Sequence, residues 1–183
     1  MVNSVTERLF FALWPTESVR LDLNQLSQVV TQTQGSVGKI ISPVNWHITI
    51  AFLGNVNVAT KPCLEQAAAT ITVPQFNLFL DQLGYWSNNH ILWLGTSQTP
   101  AALAQLVTQL TTALSSCGYQ PENRAFHTHI TLMRKVNRIK KLPSITPIIW
   151  SIEDFCLVRS TLTTSGTSYE VLGWWALPSR CTQ

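Results

Sequence analysis

Charge is scarce in this chain: Asp, Glu, Lys and Arg make up only 11% of its 183 residues, and the nine acidic side chains are scattered. Such a set supplies no carboxylate cage for a hard cation, so no metal is expected. No apolar run reaches the ~20 residues that cross a bilayer, which predicts no spanning helix. The opening Met1-Val2-Asn3-Ser4-Val5-Thr6-Glu7-Arg8 has neither a basic head nor an apolar signal core, so export is not expected and a cytoplasmic location is. Cys63, Cys117, Cys156 and Cys181 form no C-x-x-C pair, which excludes a zinc ribbon or a thioredoxin-like site. Reduced thiols are the expectation for all four. There is no P-loop, no dinucleotide glycine fingerprint and no G-x-S-x-G elbow, so no cofactor is expected.

What is plentiful is apolar surface. At 45% hydrophobic residues the chain readily fills a core, and its length suits one domain over residues 1–183, monomeric by default. A net charge of +3 does not by itself mark a nucleic-acid binder. Its distribution says more. Eight of the twelve Lys and Arg lie at or beyond Arg124, and five fall within residues 134–141. That cluster follows a histidine motif directly, where it can meet phosphate.

Residues 8–14 are apolar and stop at Pro15, which predicts a strand buried on both faces. Thr16 then predicts a helix cap. Val19, Leu21, Leu23, Leu26, Val29 and Val30 give that helix its stripe, ending before Gly35. An extended piece over 39–43 leads to a strand over 46–53 that stops at Gly54-Asn55. Residues 58–72 are Ala-rich and predict a second helix, with Pro62 near its start. Strands over 76–86 and 90–94 flank the polar turn Ser87-Asn88-Asn89. Leu103, Leu106, Val107, Leu110 and Leu114 predict a helix over 100–117, closed by Gly118. Strands over 127–133, 148–158 and 169–177 complete the set, the last two separated by a segment containing Ser165-Gly166. Without a strict βαβ rhythm, the fold class is α+β with antiparallel sheets. Each half brings strand, helix and a strand with His-x-Thr, which predicts two similar lobes facing each other across a cleft.

Two of the four histidines carry Thr two places on: His47-Ile48-Thr49 and His129-Ile130-Thr131. In a strand, residues i and i+2 share a face, so each imidazole sits beside a hydroxyl while the residue between them points to the core. If the lobes oppose, two imidazoles and two hydroxyls converge. Cleaving a phosphodiester needs a base, an acid and donors for the non-bridging oxygens. Histidine serves both proton-transfer roles because its reference pKa is about 6.5, and Thr hydroxyls suit the oxygens. Phe11 and Trp46 are candidates to stack on a base. His127 shares a strand face with His129, and His90 follows a turn with no evident role.

The sequence is similar to the bacterial and archaeal RNA 2′,3′-cyclic phosphodiesterases, once called 2′–5′ RNA ligases, of the two-histidine phosphoesterase superfamily. The likeness covers nearly the whole chain. Residues 8–15 resemble the family's opening strand, residues 45–54 its first motif and residues 126–134 its second; Ser160, Leu162, Gly166 and Tyr169 follow its C-terminal signature. Thr128 departs from the proline usual before the second histidine, and Ile50 from the commoner leucine. The resemblance implies a bilobal α+β fold of two antiparallel sheets with helices outside. It implies metal-free hydrolysis of a 2′,3′-cyclic phosphate RNA end to a 2′-phosphate, with 2′–5′ joining as the weaker reverse reaction. By analogy His47 is the proton donor and His129 the acceptor, with Thr49, Thr131 and Arg134 on the phosphate. Two other readings stay open: a phosphodiesterase acting on 2′–5′ oligonucleotides or another small cyclic phosphodiester, and a non-catalytic module that binds RNA ends.

Overall fold

The computed structural model describes residues 5–35, 38–121, 125–164 and 166–179. Arg124, Ser165 and Cys181 lie outside the described residues. The elements run β1 (Thr6–Leu13), α1 (Glu17–Gln34), β2 (Lys39–Ile40), β3 (Ile48–Asn57), α2 (Lys61–Ala69), β4 (Phe76–Leu80), β5 (Gln82–Trp86), β6 (Ile91–Gly95), α3 (Ala101–Ser115), β7 (His129–Arg134), β8 (Ile148–Ile152), β9 (Asp154–Thr163) and β10 (Gly166–Ala176). Single 3-10 turns at Pro43–Asn45 and Val58–Thr60 precede β3 and α2.

One antiparallel sheet has the order β10-β9-β1-β3 and a second β2-β7-β6-β5. Strand β1 lies between two partners, which is why Leu9 to Leu13 are all buried. Its two sides bury different things. Leu9, Phe11 and Leu13 enter the main core, whereas Phe10 and Ala12 join a small second cluster with Cys156, Val158, Trp14 and Tyr169. Helix α1 begins where Thr16 accepts a hydrogen bond from the Val19 N–H (3.4 Å) and ends at Gly35, with φ 75°. Val19, Leu23 and Val30 are its buried stripe, while Leu21 and Val29 face out. Around the sheets, α1 packs on β8, α2 on α3 and β10, and α3 on β3.

A third, two-stranded ladder pairs β4 with β8, beyond the two sheets expected. The run over 76–86 breaks at Asp81, and the run over 148–158 breaks at Glu153. The Asp81 carboxylate accepts hydrogen bonds from the Ser97 N–H and hydroxyl (both 2.6 Å), pinning the corner where the chain leaves β4 for the second sheet. At the other corner the Leu177 N–H donates to the Glu153 carbonyl (2.7 Å). Strand β3 also continues past Gly54, which takes φ 69° beside a bulge opposite Leu9 and Phe10; only glycine meets that backbone without strain. The second helix is shorter than residues 58–72, because a 3-10 turn occupies Val58–Thr60 and α2 ends at Ala69.

The reduced-thiol expectation fails for two cysteines. Packing of α2 on α3 brings Cys63 and Cys117 together in a disulfide, with Cα atoms 5.8 Å apart. Cys156 is a buried free thiol. No described helix is long and apolar enough to cross a membrane.

The bridge spans 54 positions of sequence, so closing that loop in the unfolded chain is worth about 4 kcal/mol in the chain-entropy account. Urea unfolding with and without reductant is expected to show a loss of that order, and Cys63→Ser is expected to match the reduced protein. Identical curves with and without reductant would show that the bridge contributes no stability.

Candidate active site

His47 stands one residue before β3 and His129 opens β7. Ile48, Ile50, Ile130 and Leu132 are buried, and between them Thr49 and Thr131 are half-buried. The alternation expected of a half-buried strand therefore holds in both motifs, with each hydroxyl on the opposite face from the core residues beside it. A cavity of about 540 Å³ takes one residue from each motif, Thr49 of β3 and His129 of β7, together with Phe52, Trp86, Asn88, Thr111 and Phe126; His47 and Thr131 are not among the residues that line it.

The two imidazoles are held alike. His47 Nδ1 lies 2.7 Å from the Asn45 carbonyl, and His129 Nδ1 lies 2.8 Å from the His127 carbonyl. A carbonyl can only accept, so each Nδ1 carries its hydrogen and any exchange of a proton by the ring falls to Nε2. Their surroundings are aromatic. Phe10, Trp14 and Tyr169 have ring centroids 4.9, 5.6 and 5.1 Å from His47, with Trp14 stacked at 12°. Trp86 meets His129 edge-on at 4.6 Å. Trp93 lies behind, 4.6 Å from His127, and its indole fills the space a Cβ on Gly84 would take, which would come within 2.1 Å of that ring.

Burial among these rings pushes the His47 pKa down to about 4; the Asn45 carbonyl opposes this, and the positive charges of His129, Arg134 and Arg20 add to it. Arg134 is the exposed last residue of β7, and Arg20 approaches from α1. Beyond Arg134 the basic segment is tied down by its backbone: the Val136 N–H donates to the His90 carbonyl (3.0 Å), and the Lys140 N–H donates to Gln34 Oε1 (2.7 Å). Arg138, Lys140 and Lys141 are exposed, and His90 proves to anchor this strap.

Two expected stacking residues are not at the site. Phe11 is fully buried against Phe155 and Trp175, and Trp46 is 1% exposed, because both point into the main core. The neighbour on the opposite face, Phe10, touches His47 instead. Trp14, Tyr169 and Trp86 complete the set that sequence reading did not assign to the site. Strand alternation offered a signal for Phe10, whose side must oppose that of Phe11. Thr128 is buried and its hydroxyl has no hydrogen-bond partner, so the departure from proline leaves an unsatisfied oxygen beside His129. Among the described residues, no group of three or more His, Cys, Asp or Glu is placed to hold a metal ion.

Two antiparallel sheets, each carrying one His-x-Thr motif, with Thr49 of one and His129 of the other on a single cavity, place the chain among the two-histidine phosphoesterases. Within that class the chain belongs to the LigT-like phosphoesterase family, whose model matches residues 13–93 and again 94–169. It is 33% identical over 176 residues to the RNA 2′,3′-cyclic phosphodiesterase of Escherichia coli, covering 95% of this chain and 98% of that protein. The enzyme of the same name from Aeropyrum pernix is 26% identical over 147 residues, covering 73% and 83%. Among solved structures, Escherichia coli LigT complexed with 3′-AMP superposes with a TM-score of 0.86 at 31% identity, covering 98% of this chain and all of that one. A crystal structure described as a phosphoesterase gives 0.88 at 31% identity, covering 96% and 100%.

The depressed His47 pKa has a consequence for stability. Between 6.5 and about 4 the unfolded chain binds a proton at this position that the folded protein does not, so stability is full above pH 6.5 and falls as pH drops to about 4. That difference corresponds to about 3 kcal/mol. Denaturant unfolding at pH 7 and pH 4 is expected to show a smaller drop for His47→Gln than for the unaltered protein. An equal drop in both would refute the shift.

Proposed function

We propose that the chain hydrolyses 2′,3′-cyclic phosphate ends of RNA to 2′-phosphomonoesters, using His47 and His129 as its acid–base pair and no metal. The observation that supports this reading is the matched clamping of the two imidazoles, each with its Nδ1 on the carbonyl two residues earlier, together with Thr49 and His129 on one cavity. The names of the relatives support the substrate class. In this reading residues 1–183 act as one domain of two facing lobes.

Water attacks the phosphorus while His129 Nε2 takes its proton. The bond from phosphorus to the 3′ oxygen breaks, and His47 Nε2–H protonates that oxygen, leaving a 3′-hydroxyl and a 2′-phosphate. Thr49 and Thr131 donate to the non-bridging oxygens, where charge builds in the transition state. Arg134 adds positive charge at the rim. In the empty site His47 is neutral at pH 7, since its pKa is about 4. The phosphodiester's negative charge favours the imidazolium, so substrate binding loads the acid with its proton. The terminal base sits in the 540 Å³ cavity among Phe52, Trp86 and Phe126, and the exposed lysines of the strap meet the upstream phosphates. With the 5′-hydroxyl of a second RNA in place of water, the same groups form a 2′–5′ linkage: His129 takes the hydroxyl's proton, the bond from phosphorus to the 3′ oxygen breaks and His47 protonates that oxygen.

In EDTA, short RNAs with cyclic phosphate ends are expected to yield 2′-phosphates, and His47→Ala or His129→Ala to lose roughly 10²- to 10⁴-fold in turnover. Full activity in either variant, or loss of activity on adding EDTA alone, would overturn the mechanism. A 3′-phosphate product would overturn the bond assignment. Turnover of 2′–5′ oligonucleotides in preference to cyclic ends would overturn the substrate.

Neutralising Lys140 and Lys141 to Gln is expected to lower the slope of log affinity against log salt for a 10-nucleotide RNA by about one or two. An unchanged slope would leave the strap without a role in binding.

A further inference from the structure

Arg20 lies on α1, remote in sequence from both histidine motifs, and yet it meets the His47 half of the site twice. Its guanidinium stands over the Trp14 ring, 5.3 Å from the centroid, and the same Trp14 ring stacks on the His47 imidazole. Arg20 Nη1 also donates to the Pro43 carbonyl at the start of the turn Pro43–Asn45. That turn ends on the carbonyl that accepts from His47 Nδ1. Its far side is tied to β10, where the Asn45 amide donates to the Thr167 carbonyl (3.2 Å). Cation, indole and imidazole thus form one stack, and the turn under it is braced from α1 and from β10. The second histidine meets its indole differently, edge-on to Trp86.

We propose that Arg20 and Trp14 are positioning residues for His47, Arg20 bracing both the ring stacked on the imidazole and the turn whose carbonyl holds its Nδ1. A stacked indole excludes water from one face of the imidazole and limits its rotation about χ2. A guanidinium on an aromatic face is planar, permanently charged and weakly hydrated, so it can sit half-buried there where an ammonium is held less well. The charged and titratable groups around His47 are Arg20 from α1, His129 and Arg134 from β7, and Tyr169 from β10. Arg20 is the one among them that also holds the turn. The proposed role extends the phosphodiesterase reading but does not depend on it, because the state of His47 can be read in the resting protein.

The test is a proton–carbon NMR titration of the histidine rings in Arg20→Met, Arg20→Lys, Trp14→Leu and Trp14→Phe, with kcat and KM measured on cytidine 2′,3′-cyclic phosphate. The His47 midpoint, about 4 in the unaltered protein, is expected to rise in Arg20→Met and to rise further in Trp14→Leu, which opens the ring to water. Arg20→Lys and Trp14→Phe are expected to hold it closer to the starting value. Turnover is expected to fall roughly tenfold in Arg20→Met with KM within about twofold. An unmoved His47 midpoint in both Arg20→Met and Trp14→Leu overturns the proposal, even if activity falls. A risen midpoint in a protein that cleaves no cyclic phosphate upholds it while overturning the substrate assignment.

Discussion

The site depends on one hydrogen bond made twice: from an imidazole Nδ1 to the carbonyl two residues earlier. Because a carbonyl cannot donate, the bond selects one tautomer without any carboxylate partner. The chain thereby fixes the tautomer of both imidazoles in surroundings poor in acidic groups. The same economy explains why the local backbone matters so much. His47 is aimed by a turn that Arg20 and Thr167 hold in place, and His129 by the residues that lead into β7.

Aromatic packing then sets the chemistry that the clamped nitrogens can perform. Phe10, Trp14 and Tyr169 take water away from His47 and drive its proton affinity down, where an exposed histidine would titrate near neutrality. A ring kept neutral by apolar neighbours responds strongly to a nearby anion, so in the proposed reaction the phosphate itself is part of the acid–base machinery. The cost of that arrangement falls on stability in acid.

Much of this was legible in the sequence because two signals are local. Strand alternation around His47 and His129 placed each Thr beside its His, and the apolar run at residues 8–14 marked a strand buried on both faces. What could not be read depends on partners distant along the chain. Phe10 and Phe11 look equivalent until the pairing of β1 with β3 and β9 decides which side faces the core. Asp81 is an ordinary polar residue until Ser97 arrives to donate to its carboxylate and turn the strand. Cys63 and Cys117 carry no spacing motif; only the packing of α2 on α3 makes them neighbours.

The short ladder of β4 and β8 has a mechanical meaning. Its strands run on, through the corners at Asp81 and Glu153, into β5 of one sheet and β9 of the other, with five residue pairs between Phe76–Ile152 and Leu80–Ile148. The lobes are thus joined by paired backbone instead of a pliant connector. Widening the gap between them therefore strains that pairing. In the proposed reaction the loss of freedom on binding thus falls chiefly on the RNA end.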